Sequence, residues 1–147
     1  MGFSMMTKWR EVTSAECQED FDDLLDVCVE IAAERISERW GLEPVAVVNH
    51  ISLGQRVIPS EGQADASSTM PVHQQLLGRL RAKSDDLRSY AIVSDATVEG
   101  ASDTHLEVLL EHREYAIRIL VPYLMPDAKT FDLGPMKAAV GQRLLWG

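Results

Sequence analysis

The run Thr104-His105-Leu106-Glu107-Val108-Leu109-Leu110-Glu111-His112 is followed by Arg113-Glu114 and then by Tyr115-Ala116-Ile117-Arg118-Ile119-Leu120-Val121-Pro122-Tyr123. Folding the second run back on the first about Arg113-Glu114 gives a two-residue hairpin whose register can be read directly. Thr104, Leu106, Val108, Leu110 and His112 then oppose Tyr123, Val121, Ile119, Ile117 and Tyr115, a β-branched and aromatic face suited to a core. On the other face His105, Glu107, Leu109 and Glu111 oppose Pro122, Leu120, Arg118 and Ala116. Arg118 lies diagonal to both glutamates and is expected to pair with either. A slip of one residue would drive these charges into the core, so the alignment is strongly specified. The preceding run, Ser89 to Glu99, reads as a third strand, joined through Gly100-Ala101-Ser102-Asp103 in an antiparallel meander.

Upstream, Thr13-Ser14-Ala15-Glu16 reads as a capping box with Thr13 as N-cap. The helix that follows runs to about Trp40. Cys17, Phe21, Leu24, Leu25, Cys28, Ile31, Ala32 and Ile36 recur at helical spacing, and Gly41 and Pro44 stop the helix. Val45 to Ser52 alternates too little to have a wet face and reads as a buried strand; Gln55 to Ile58 is a short one. Residues 60–70 are expected to form a mobile loop. A second helix begins near Pro71, with Val72, Leu76, Leu77, Leu80 and Leu87 on its buried side. Residues after Tyr123 break into short pieces, with a final strand over Gln142 to Trp146.

The expected fold is a single α+β domain over residues 1–147, with residues 1–12 flexible. Its order is α-β-β-α-β-β-β plus an extended C-terminal tail, and both helices are placed on one face of one antiparallel sheet. At 147 residues the chain can bury a core without metal or disulfide. Its two cysteines, Cys17 and Cys28, share a helix face about 16 Å apart, beyond disulfide reach. They read as buried thiols of a reducing compartment. With no signal-peptide pattern in Met1 to Met6 and no apolar run of membrane-spanning length, a cytoplasmic protein is expected.

Ser94-Asp95-Ala96-Thr97-Val98, Asp103 to Arg113 and Val121-Pro122-Tyr123 together resemble a strand pattern recurrent in small bacterial proteins of uncharacterised families. The similarity continues into Gly141-Gln142-Arg143-Leu144-Leu145-Trp146 and so covers about the C-terminal half. It implies the sheet and carries no catalytic residue.

Charge is the most distinctive feature. The chain carries a net charge of −9, and residues 14–40 hold nine acids against Arg35 and Arg39. Glu16, Asp20, Asp23, Glu30, Glu34 and Glu38 form a stripe opposite the apolar one, although like charges at helical spacing repel. Nucleic-acid binding is disfavoured because phosphate contacts need a basic surplus. Nucleophile elbow, zincin helix and phosphate-binding loop signatures are all missing, and no cofactor or metal ligand set is indicated.

The expectation is therefore a non-enzymatic protein that acts through protein contacts as a homo-oligomer. Leu144, Leu145 and Trp146, or an exposed strand edge, would form the interface, since an apolar terminus normally docks somewhere. One alternative is a small-molecule or metal-dependent enzyme using the His105, Glu107 and Glu111 face. Another is an acidic inhibitor or immunity-type protein that presents Glu16, Asp20, Asp23, Glu30 and Glu34 to a basic partner.

Overall fold

The computed structural model describes residues 9, 11–39, 44–59, 72–96, 104–127 and 130–146. Helix α1 spans Ala15–Arg39 and helix α2 spans Val72–Arg81. The strands are β1 (Val45–His50), β2 (Gly54–Pro59), β3 (Leu87–Ala96), β4 (Thr104–His112), β5 (Ala116–Asp127), β6 (Thr130–Leu133) and β7 (Lys137–Val140). A 3-10 turn at Ser84–Asp86 leads into β3. The fold is α+β, with one antiparallel sheet in the order β2-β1-β3-β4-β5-β6. Strand β7 also pairs with β5, against Ile117 to Leu120, while β6 takes the far half from Tyr123 onward. The two short strands thus share one flank of β5. No described helix is long and apolar enough to cross a membrane.

The hairpin has the expected register: Thr104 faces Tyr123, Leu110 faces Ile117 and Glu111 faces Ala116. His112 and Tyr115 close the loop by exchanging backbone hydrogen bonds of 2.8 and 3.3 Å. Leu106, Val108, Leu110, Ile117, Ile119 and Val121 are buried beneath α1.

The helices do not share a face. Val45, Val47, Ala91 and Val93 pack with Cys17, Phe21, Leu24, Cys28, Ala32 and Ile36 of α1. The alternate residues Ala46, Val48, Tyr90 and Ile92 pack with Leu76, Leu77 and Leu80 of α2. Side chains alternate along a strand, so α1 and α2 lie on opposite faces of the sheet. All six residues of β1 are accordingly buried.

Local details also differ from the expectation. Ser14, not Thr13, caps α1: its hydroxyl accepts the Cys17 amide at 3.2 Å. The Thr13 hydroxyl instead donates to the Trp9 carbonyl at 2.8 Å. Trp9, assigned above to a flexible N-terminus, is buried and tilted against Phe21 with centroids 5.5 Å apart. Leu87 opens β3 instead of extending α2. The C-terminal strand is Lys137–Val140, and residues 141–146 join no ladder. The loop at 60–70 and the stop signal at Gly41 lie outside the described residues. Gly54 closes the β1–β2 turn at a φ of 73°, left-handed backbone that glycine adopts without strain.

Candidate functional site

The polar face of the β4–β5 hairpin holds two glutamates four residues apart with different fates. Arg118 serves Glu107 alone, through Nε at 2.7 Å and a terminal nitrogen at 2.6 Å. Glu111 is 1% exposed. Its Oε1 accepts the Tyr90 hydroxyl at 2.9 Å and the backbone amides of Leu144 and Leu145 at 3.0 and 2.9 Å. Its Oε2 accepts the Trp146 amide and Arg143 Nε, each at 3.2 Å. Of the two glutamates open to it, Arg118 takes Glu107, and Glu111 is held by other donors. Burying a carboxylate is costly unless its acceptor positions are filled, and these five donors fill them. Burial and the adjoining Glu111 charge push the Tyr90 phenol well above its ordinary range, which keeps it a donor.

Residues 141–146 form a strap from the β5 flank across the end of the sheet to α2. Gly141 starts it, donating its amide to the Ala116 carbonyl at 2.9 Å. A Cβ there would meet the Ile117 backbone at 2.9 Å, so the crossing needs glycine. Arg143 also donates to the carbonyls of His112, Arg113 and Glu114. Arg113 binds the carbonyls of Leu87, Ser84 and Asp85 and stands 5.4 Å over the Trp146 ring. Leu144, Leu145 and Trp146 are half-buried against the chain's own α2-side core. The three residues expected at an interface thus pack in part against the chain's own core.

Between the strap and the hairpin lies a cavity of about 360 Å³, lined by Tyr90, Glu107, Leu109, Arg118, Gln142 and Leu144 among others. It occupies the sheet face that carries His105, Glu107 and Glu111, and of these three Glu107 lines it. Glu111 faces the strap amides and Glu107 is held by Arg118. His105 is half-buried toward the far end of β4, where it pairs with Pro122.

On the α1 face a second buried carboxylate organises the hairpin end. Asp20, 4% exposed, receives two hydrogen bonds from Arg88 at 2.7 and 2.8 Å and one from the Ser89 hydroxyl at 2.7 Å. Asn49 in turn donates to Ser89 at 3.0 Å. Asp20 therefore belongs to the core and not to the acidic surface expected of it. Its position announced this, three residues after Cys17 and four before Leu24, on the flank of the apolar repeat. Glu16 turns toward the buried His112, with 3.2 Å between carboxylate and Nε2. Asp23, Glu30 and Glu34 remain exposed, joined by Glu19 and Asp26.

Glu16, His112 and Glu114 bring ligand atoms within 4.8 Å of one another. The carboxylates are not directed at one ring nitrogen: Glu16 faces Nε2, while Glu114 lies 3.6 Å from Nδ1. Nδ1 also accepts the Glu114 amide, and the Glu114 carboxylate accepts the Ser14 hydroxyl and amide. The Ser14 hydroxyl is the main cause that holds the Glu114 carboxyl below its ordinary range. The cluster is a helix-to-hairpin clamp. Burial pushes both thiols, Cys17 and Cys28, up to about 12, so they stay protonated at neutral pH and are poor nucleophiles.

His50, Ser52 and Asp86 also converge, in the wrong order for nucleophile activation. Ser52 donates its hydroxyl to Asp86 at 2.6 Å and its amide at 3.1 Å, while His50 Nδ1 lies 3.2 Å from the same carboxylate. Activation needs the histidine on the serine oxygen; here both groups lean on the aspartate and tie the β1–β2 turn to the 3-10 turn.

No family model, no curated protein and no solved structure matches the chain. The functional reading therefore rests on the geometry above.

Proposed function

We propose that the protein acts through protein contacts, as a homodimer joined along the outer edge of β2, with no catalytic centre of its own. The observation that carries this reading is the state of that edge. Among the described residues β2 has β1 as its one neighbour, and it pairs over six residues without a bulge. The same hairpin exposes Ile51 at 60%, Leu53 at 56% and Val57 at 46%. An unpaired strand bearing apolar side chains is a template for another strand.

Self-pairing in antiparallel sense has a favoured register. Centred on Val57, it sets each Val57 against its counterpart and each Arg56 against Ile58. Centred on Arg56, it would place two like charges directly opposite, which is unfavourable. The outward face of α1 supports a second reading, a seat for a basic partner. None of Glu19, Asp23, Asp26, Glu30 and Glu34 forms an ion pair with another described residue.

Sedimentation equilibrium across a salt series tests both. Two chains of net charge −9 repel, so dimerisation strengthens as salt screens the charge, whereas capture of a basic partner weakens. Val57→Lys is expected to give a monomer. A strict monomer at high concentration, or a dimer untouched by Val57→Lys, would sink the β2 interface.

A further inference from the structure

We infer that the cavity beneath the strap binds a small zwitterion with an apolar body, of which an apolar α-amino acid is the simplest kind. At about 360 Å³ it falls at the lower end of small-ligand sites. Leu109 and Leu144 give it apolar walls, Tyr90 has its hydroxyl committed to Glu111, and Gln142 stands at the rim. Two charged side chains of opposite sign line it, Glu107 and Arg118, and they meet at 2.6 Å.

That pair determines the ligand class. A ligand with a single charge would draw away one member and leave the other without its counter-charge while the ligand's own body shields it from water, which is costly although the same pair is weak in the open site. A zwitterion can part the pair and replace both halves, its ammonium on Glu107 and its carboxylate on Arg118. The exposures orient it. Glu107 is 18% exposed and Arg118 45%, so the ammonium lies inward and the carboxylate toward the mouth. The apolar body then rests between Leu109 of the sheet and Leu144 of the strap. The tail is thus a wall of the site, and occupancy stabilises the strap.

Isothermal titration of the full chain with three matched probes tests this: L-leucine, 4-methylpentanoate, which lacks the ammonium, and 3-methylbutylamine, which lacks the carboxylate. L-leucine is expected to bind, with each single-charge analogue weaker by about tenfold or more. Amide shift changes on binding should centre on Glu107, Leu109, Arg118, Gly141 and Leu144. Leu109→Trp, which fills the cavity, should abolish binding. Arg118→Gln, an exposed position where the fold is retained, should reduce L-leucine to the affinity of the amine. The proposal is overturned if none of the probes binds at millimolar concentration, if all three bind equally, or if the shifts centre elsewhere.

Discussion

The two faces of the sheet solve the same problem with different material. On one, a single 25-residue helix lies over a continuous apolar layer from β1 across to β5 and Ala138 of β7. On the other, a 10-residue helix covers the β1 and β3 end. A non-helical strap, centred on the Glu111 carboxylate and held also by Arg143 and by apolar packing, extends the cover across β4 and β5. The helical face is held by many interchangeable contacts, each buried Leu, Ile or Phe contributing roughly 1.5–3 kcal/mol. On the strapped face Glu111 gathers five of the donors that hold the strap, and a cavity remains between strap and sheet. A closed face suits stability, and a patched one leaves surface for binding.

The largest expected effects come from breaking each face at its centre. Phe21→Ala should cost about 3–5 kcal/mol in urea unfolding and loosen the whole domain. Glu111→Ala strands five donors and should cost about 3 kcal/mol. Its signature differs, because the amides of Leu144, Leu145 and Trp146 should lose hydrogen-exchange protection well before the α1 core. Uniform loss in both variants would erase the contrast between the faces.

A narrower effect is expected at Asp86. Its carboxyl is held below the ordinary range, chiefly by the Ser52 hydroxyl. Stability from this group is therefore fully present above its unfolded pKa of about 3.9 and is lost as pH falls toward the lowered folded value. Asp86→Asn should flatten the acid limb of a melting-temperature profile. Glu114 shifts in the same direction, so some acid sensitivity should persist. The smallest effect belongs to Glu107→Ala, which removes a half-exposed ion pair. It should cost less than about 1 kcal/mol, and the loss should shrink in high salt. A loss as large as that of Glu111→Ala would mean that the two glutamates are not so unlike.

Local pattern carried the meander well. Charge placement and alternation left the β4–β5 hairpin one register, and the chain adopts it. The placement of the helices on opposite faces is legible in β1 as well. Val45-Ala46-Val47-Val48 has no polar alternation because the strand is covered on both sides, and a strand buried twice needs a layer on each side. Asp20 was similarly readable from its seat within the apolar stripe. Glu111 was not. Nothing near it distinguishes it from Glu107, since its donors come from Tyr90 and from a tail more than 30 residues later. Pairwise reasoning along one hairpin cannot see such partners. The cavity was hidden for the same reason, being formed only when the strap closes over the sheet.

The far flank of the sheet bears on how large an assembly this chain could build. There β6 and β7 stop either side of Gly134-Pro135-Met136. Gly134 is pressed so close to Pro122 that a Cβ would meet the proline ring at 2.7 Å. A flank broken into two four-residue pieces around a proline is a poor template for a further strand. Among the described residues the sheet therefore has one open border, at β2, and one blunted border, at β6 and β7. If the chain dimerises as proposed, twofold pairing through β2 would consume the open border, and growth would end at two copies rather than in open-ended fibres.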